Sequence, residues 1–154
     1  METQVIGATI PDGLLAVGTV LQVKAFGHVT ATTNSNITLN LRVGPATLTG
    51  NIPASLTCKP GNTGTVTDAP VVIDLMLTVR SVGAAGACIA FGMAFSLSSG
   101  AAVTQALALA NEAFDSTEVA LDTTVANLIE LTCSTAAATV VLVFDSAVIS
   151  VVKL

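Results

Sequence analysis

The chain has 154 residues and a formal net charge of −5; 52% of its residues are apolar, only 10% are charged, and it holds five Phe but no Tyr or Trp. That length is one domain's worth, long enough to bury a core without disulfide or metal staples. Its five cations (Lys24, Arg42, Lys59, Arg80 and Lys153) are scattered singly. This excludes a nucleic-acid reader, which needs clustered cations and stacking aromatics.

Short β-type runs separated by Gly, Pro, Asn and Asp fill the chain. Thr3 to Ile10 is the first predicted strand, closed by Pro11-Asp12-Gly13. Thr19 to Ala31 is the second, with Leu21, Val23 and Ala25 on one side and Gln22, Lys24 and His28 on the other. Thr32 to Asn36 is a polar loop. Ile37 to Val43 shows the cleanest alternation: Ile37, Leu39, Leu41 and Val43 point to a core, and Thr38, Asn40 and Arg42 to solvent. Ala46 to Leu56 is a weaker extended stretch whose Pro53 suits a sheet edge. Cys58 to Pro70 is the longest predicted loop. Val71 to Ser81 alternates strongly, and Gly83 to Gly86 reads as a hairpin turn into Cys88 to Leu97.

The second half is less regular. Ala102 to Ala110 suits a short helix or a strand; its strand-like flanks favour the strand. Thr117 to Thr124, Asn127 to Ser134 and Val140 to Val152 are further predicted strands, with Thr135 to Ala138 as the turn before the last. Thr occurs 21 times and Val 20 times, which favours pleated strands over helices. Nine or ten strands at this spacing, with no βαβ alternation, predict a single all-β sandwich domain over residues 1–154.

The residues that could carry chemistry are few. His28 is the only histidine, and no nucleophile elbow accompanies it, so an exposed strand residue is expected rather than a catalytic one. Cys58, Cys88 and Cys133 form no C-x-x-C pair and have no His at ligand spacing, which argues against zinc. Their odd number argues against a secreted disulfide framework, although one bridge stays open. They lie in or beside apolar runs, where free Cys behaves as a small hydrophobe. Asp115, Glu118 and Asp122 cluster in sequence, but their spacing fits neither a sugar cleft with an aromatic floor nor an EF-hand. A solvated acidic loop is expected. No catalytic, cofactor or metal residue is assigned, and an enzyme is the least favoured reading.

Residues 81–111 carry no charge. Gly interruptions, the prevalence of Ala and the period-2 alternation over 88–97 argue against a transmembrane helix. The segment Met1 to Gly7 lacks the basic and apolar regions of a signal peptide. It reads either as an ordered strand or as an arm reaching a neighbour. So little charge predicts association, since obligate interfaces are charge-depleted.

The runs Ala8-Thr-Ile-Pro11, Leu15 to Gly27, Asn36 to Gly44, Ala69 to Ala84, Asn127 to Cys133 and Val148 to Lys153 resemble, in order and spacing, the small jelly-roll domains of tailed-bacteriophage virion proteins. The resemblance covers most of the chain as a pattern and brings no catalytic motif. It implies a jelly-roll sandwich acting as a capsid decoration (cement) protein, with a tail or fibre component as the alternative. It further implies a homo-oligomer, a trimer above others, bound to the major capsid protein or another virion protein, located in the virion, with no nucleic-acid or membrane partner. Relatives commonly carry Trp or Tyr in their strands; the lack of both here argues against carbohydrate reading. In a receptor-binding module, Cys58 to Pro70 or Asn111 to Ser116 is the expected binding loop.

Overall fold

The computed structural model describes residues 2–31, 36–58, 66–96, 112–135 and 140–153. The described residues form eleven strands and no helix: β1 (Glu2–Ile10), β2 (Val20–Ala31), β3 (Ile37–Gly44), β4 (Asn51–Cys58), β5 (Val66–Ser81), β6 (Ala87–Ser96), β7 (Glu112–Ala113), β8 (Asp115–Ser116), β9 (Val119–Ala120), β10 (Asn127–Thr135) and β11 (Val141–Lys153). They make two antiparallel sheets in a β-sandwich. The first runs β1-β10-β3-β4-β8; the second runs β11-β2-β5-β6-β7, with β9 also on β6.

Alternation puts the branched residues of both sheets into one core. Ile37, Leu39, Leu41, Val43, Ile129 and Leu131 face it from the first sheet. Leu21, Val23, Ala25, Ile73, Leu75, Leu77 and Val79 face it from the second. Burial at these positions fixes register, because a one-residue slip would turn each row outward.

The two sides of the sandwich differ. On one, the segment from Glu112 to Ala120 crosses between the sheets, adding β7 to the second, β8 to the first and β9 to the second. Its Phe114 N–H donates to the Gly92 carbonyl (3.0 Å), its Thr117 N–H to Pro53 (2.9 Å), and Leu121 N–H to Gly86 (2.8 Å). Phe114 and Leu121 are buried and plug the core there. The opposite side, between β1 and β11, holds an open cleft of about 450 Å³ whose lining includes Gln4, Val5, Cys133, Val140, Leu142 and Phe144.

Two expectations are corrected. Thr117 to Thr124 is not one strand: its amides bond to different sheets, and Asp122 Oδ1 accepts from Thr124 N–H (2.9 Å) and Oγ1–H (2.6 Å), closing a turn. Ala46 to Leu56 is a turn followed by a strand that starts only at Asn51. Within that turn Leu48 sits at φ 60°, a left-handed conformation that ends extended structure. Of the two readings left open for the first seven residues, residues 2–7 take the strand: β1 pairs with β10 from Glu2 to Ile10. Residues 102–110, expected as strand, lie outside the described residues, as does most of the turn after Thr135.

Candidate functional site

The outer faces of the two sheets differ in polarity. On the first sheet, Glu2, Asn40, Arg42 and Thr132 form a polar network under partial or full burial. Arg42 Nη2 and Nε donate to Glu2 Oε2 (2.7 Å) and Oε1 (3.0 Å), and its Nη1 to the Gly50 carbonyl (3.0 Å). Asn40 Nδ2 (2.9 Å) and the Thr132 hydroxyl also donate to Glu2, and Ser55 Oγ donates to Asn40 Oδ1 (2.8 Å). The Arg42 hydrogen bonds, with Thr132 and Asn40 behind them and burial opposing, hold the Glu2 carboxyl down at about 2. Beside this network Glu130 is buried; its Oε1 accepts the Leu48 N–H (2.6 Å), while Oε2 finds no partner among the described residues. Every donor of the Arg42 guanidinium group named here is spent on the protein itself, so this face is structural.

The outer face of the second sheet is apolar and open. Phe26, Met76, Phe91, Met93 and Val148 are exposed there, Phe91 by half. Register stacks them in rows: Ser150, Gln22, Met76 and Phe91 lie in one, and Val148, Lys24, Asp74 and Met93 in the next. Met76, Phe91, Gly92 and Met93 surround a shallow depression of about 360 Å³ beside Asp74. The charges in these rows neutralise each other: Lys24 Nζ lies 3.5 Å from Asp74 Oδ2, and Gln22 Nε2 donates to Asp74 Oδ1 (2.9 Å). A contiguous exposed apolar face of this kind marks an interaction surface.

The size order within β6 explains this face. Cys88, Ala90 and Ala94 point inward while Phe91 and Met93 point out. A Cβ on Gly92 would sit 2.7 Å from Leu75 Cδ2 and 2.2 Å from the Asp74 carbonyl oxygen. The space under β6 therefore accepts only small residues, and the large ones are left outside.

His28 stands at one end of the same face and is half-buried rather than bare. Its Nδ1 lies 3.3 Å from Asp145 Oδ2 on β11, and its Nε2 lies 3.5 Å from Asp68 Oδ1 on β5. Each neutral tautomer can donate from one nitrogen only, so the imidazolium alone donates to both. No nucleophile joins this cluster, and among the described residues no group of three or more His, Cys, Asp or Glu could hold a metal ion.

The other sequence candidates do not converge. Asp115 and Glu118 are exposed, Asp122 serves its own turn, and Glu118 lies 3.9 Å from Arg80. Cys88 and Cys133 are free and buried; burial, with the Glu118 and Glu2 charges secondary, raises their thiols to about 12 and about 11. Most of the predicted Cys58 to Pro70 loop lies outside the described residues, while Val66 to Pro70 already belongs to β5. Of the segment 111–116, residues 112–113 and 115–116 bind the two sheets together. No helix among the described residues is long and apolar enough to cross a membrane. Comparison with protein-family models, with curated proteins and with solved structures finds no match.

Proposed function

We propose that this chain is a structural subunit of a bacteriophage particle, a capsid decoration protein that docks on the outside of the assembled head and stabilises it. The observation that carries this reading is the apolar outer face of the second sheet, with Phe26, Met76, Phe91 and Met93 exposed and Lys24 paired with Asp74 among them. The jelly-roll resemblance of the sequence supplies the phage context. A subunit that binds only the assembled lattice stabilises it by mass action, without chemistry. Flat apolar area with few charges suits repeated binding to one complementary surface.

The test is to mix purified protein with undecorated heads and sediment them. Saturable co-sedimentation in a fixed ratio, with a raised temperature of head disruption, is the expected result. Protein that ignores heads and binds host cells instead would move the assignment to a tail or fibre component. Protein that does neither would overturn the virion reading.

A further inference from the structure

We propose that one end of the sandwich is a second docking surface, built to seat an aliphatic protein surface that carries a basic side chain opposite Asp12. The proposal rests on the decoration reading for where that partner lies, on the head. Four connections meet at this end: 11–19, 45–50, 82–86 and 121–126. In the first sheet the pairs Ile10–Asn127, Leu128–Gly44 and Val43–Asn51 set them side by side, and in the second Val20–Thr78 and Ser81–Ala87 do so. Asn51 Nδ2 joins the sheets there by donating to the Ala120 carbonyl (2.8 Å). Every connection leaves an aliphatic side chain exposed: Leu14 and Val17, then Leu48, Val82 and Val125. One exposed aliphatic residue is ordinary; five on four neighbouring loops form a surface.

Each loop is held from beneath by a polar side chain that the fold buries. Thr19 Oγ1 accepts the Ala16 N–H (2.9 Å), and Thr123 Oγ1 accepts the Gly83 N–H (2.8 Å). Asn127 Nδ2 donates to the Asp122 and Val125 carbonyls (2.7 and 2.9 Å), and Glu130 takes the Leu48 N–H. These are four of the six buried polar residues among the described residues. Burying polar groups is costly, and Leu48 is also held at φ 60°, which a side chain with a Cβ resists. The outlay goes to fixing exposed aliphatic tips, which preorganises them for a partner. Charge selects that partner. The four connections contain no Lys, Arg or His and two acids, Asp12 and Asp122. Asp122 is turned onto Thr124, and Arg80 below the 82–86 hairpin faces Glu118, so Asp12 is the charge these loops present. A second copy would bring loops of the same sign, and nucleic acid or an anionic lipid surface would find no cation in them. An aliphatic protein surface with a basic side chain satisfies both the tips and Asp12. The 82–86 hairpin joins β5 to β6, so this end is continuous with the apolar outer face of the second sheet.

The experiment is a binding isotherm on undecorated heads, with thermal unfolding and sedimentation velocity of the free protein alongside. Val17→Glu with Val82→Glu, at two exposed positions, should weaken binding about tenfold or more with Tm and oligomeric state unchanged. Asp12→Lys should weaken it about tenfold, and the loss should shrink as salt rises. Leu48→Gly separates this role from a structural one: it relieves the left-handed backbone, so Tm should hold or rise while binding falls about threefold. Heads that take the Val17/Val82 variant as tightly as wild type would overturn this surface and leave the decoration reading standing. Asp12→Lys bound as tightly as wild type would overturn the basic partner. A wild-type oligomer that the Val17/Val82 variant dissociates would make a second copy the occupant and overturn the proposal. Wild type that ignores heads would overturn both readings together.

Discussion

Glu2 ties the first residues of the chain to the middle of a sheet. Its carboxyl, held near 2 against an ordinary 4.5, makes the folded state bind fewer protons than the unfolded one. The stability this confers is therefore present above about pH 4.5 and is lost as pH falls toward 2. With part of the side chain open to water, a contribution of about 2 kcal/mol is expected. Urea unfolding between pH 2 and 6 should show that slope in wild type and lose most of it in Glu2→Gln. The cysteines give a second test at this scale. Thiols raised to about 11 and 12 hold almost no thiolate at pH 8. A disulfide reagent should leave Cys88 and Cys133 unmodified in the native protein and react with both after denaturation. Neither the Glu2 network nor the burial of Glu130 was legible in the sequence. Glu130 stands in Leu128-Ile-Glu-Leu-Thr132, where alternation assigns it to the outer face, and the turn that carries Leu48 folds back onto its carboxylate.

At the scale of strands, period-2 patterning located β1, β2, β3, β6, β10 and β11 closely, because alternation is a local property of each run, while β4 starts five residues later and β5 five residues earlier than the pattern predicted. Pairing was not legible. β1 joins β10 and β2 joins β11 across nearly the whole chain, and no short-range signal encodes that. The 112–121 segment escaped for another reason. Its ordering comes from single amides given to alternate sheets and from two plugs, Phe114 and Leu121, seven residues apart. Gly27 shows how closely β11 lies on β2: a Cβ there would come within 2.0 Å of the Val143 carbonyl oxygen, at the bulge. Gly27→Ala must displace the edge strand, and a loss of about 3 kcal/mol or more is expected in thermal unfolding. Deleting Met1 to Gly7 removes most of β1 and the Arg42 partner together. The truncated protein should lose its sheet signal in circular dichroism, where removal of a mere docking arm would leave it intact.

On the scale of the whole molecule, one outer face is polar and sealed and the other apolar and exposed. The charge shortage that suggested association is thus concentrated: the middle of the second sheet's outer face holds the Lys24–Asp74 pair, with His28 and its two carboxylates at one end, and the first sheet ties Glu2 and Arg42 to each other. Composition pointed to such a surface but not to its place, because β6 alternates large and small residues with no mark of which set faces in. Phe91→Glu with Met93→Glu should change thermal stability little, since both side chains are exposed. The same pair should abolish co-sedimentation with heads. Equal binding by this variant would remove the face from the docking surface.

The pairing of β1 with β10 also has a meaning in time. Glu2 meets its partner Ser134 only after about 130 further residues have been made. At about 5–20 residues per second, synthesis leaves the first strand waiting on the order of ten seconds. β11, which completes the other sheet, arrives later still. Throughout that interval β2 and β3 each present a flank that β11 and β10 will eventually occupy. The sandwich therefore closes when β10 and β11 arrive, and a chain interrupted before Asn127 is left with two unsatisfied sheets rather than a smaller version of the fold.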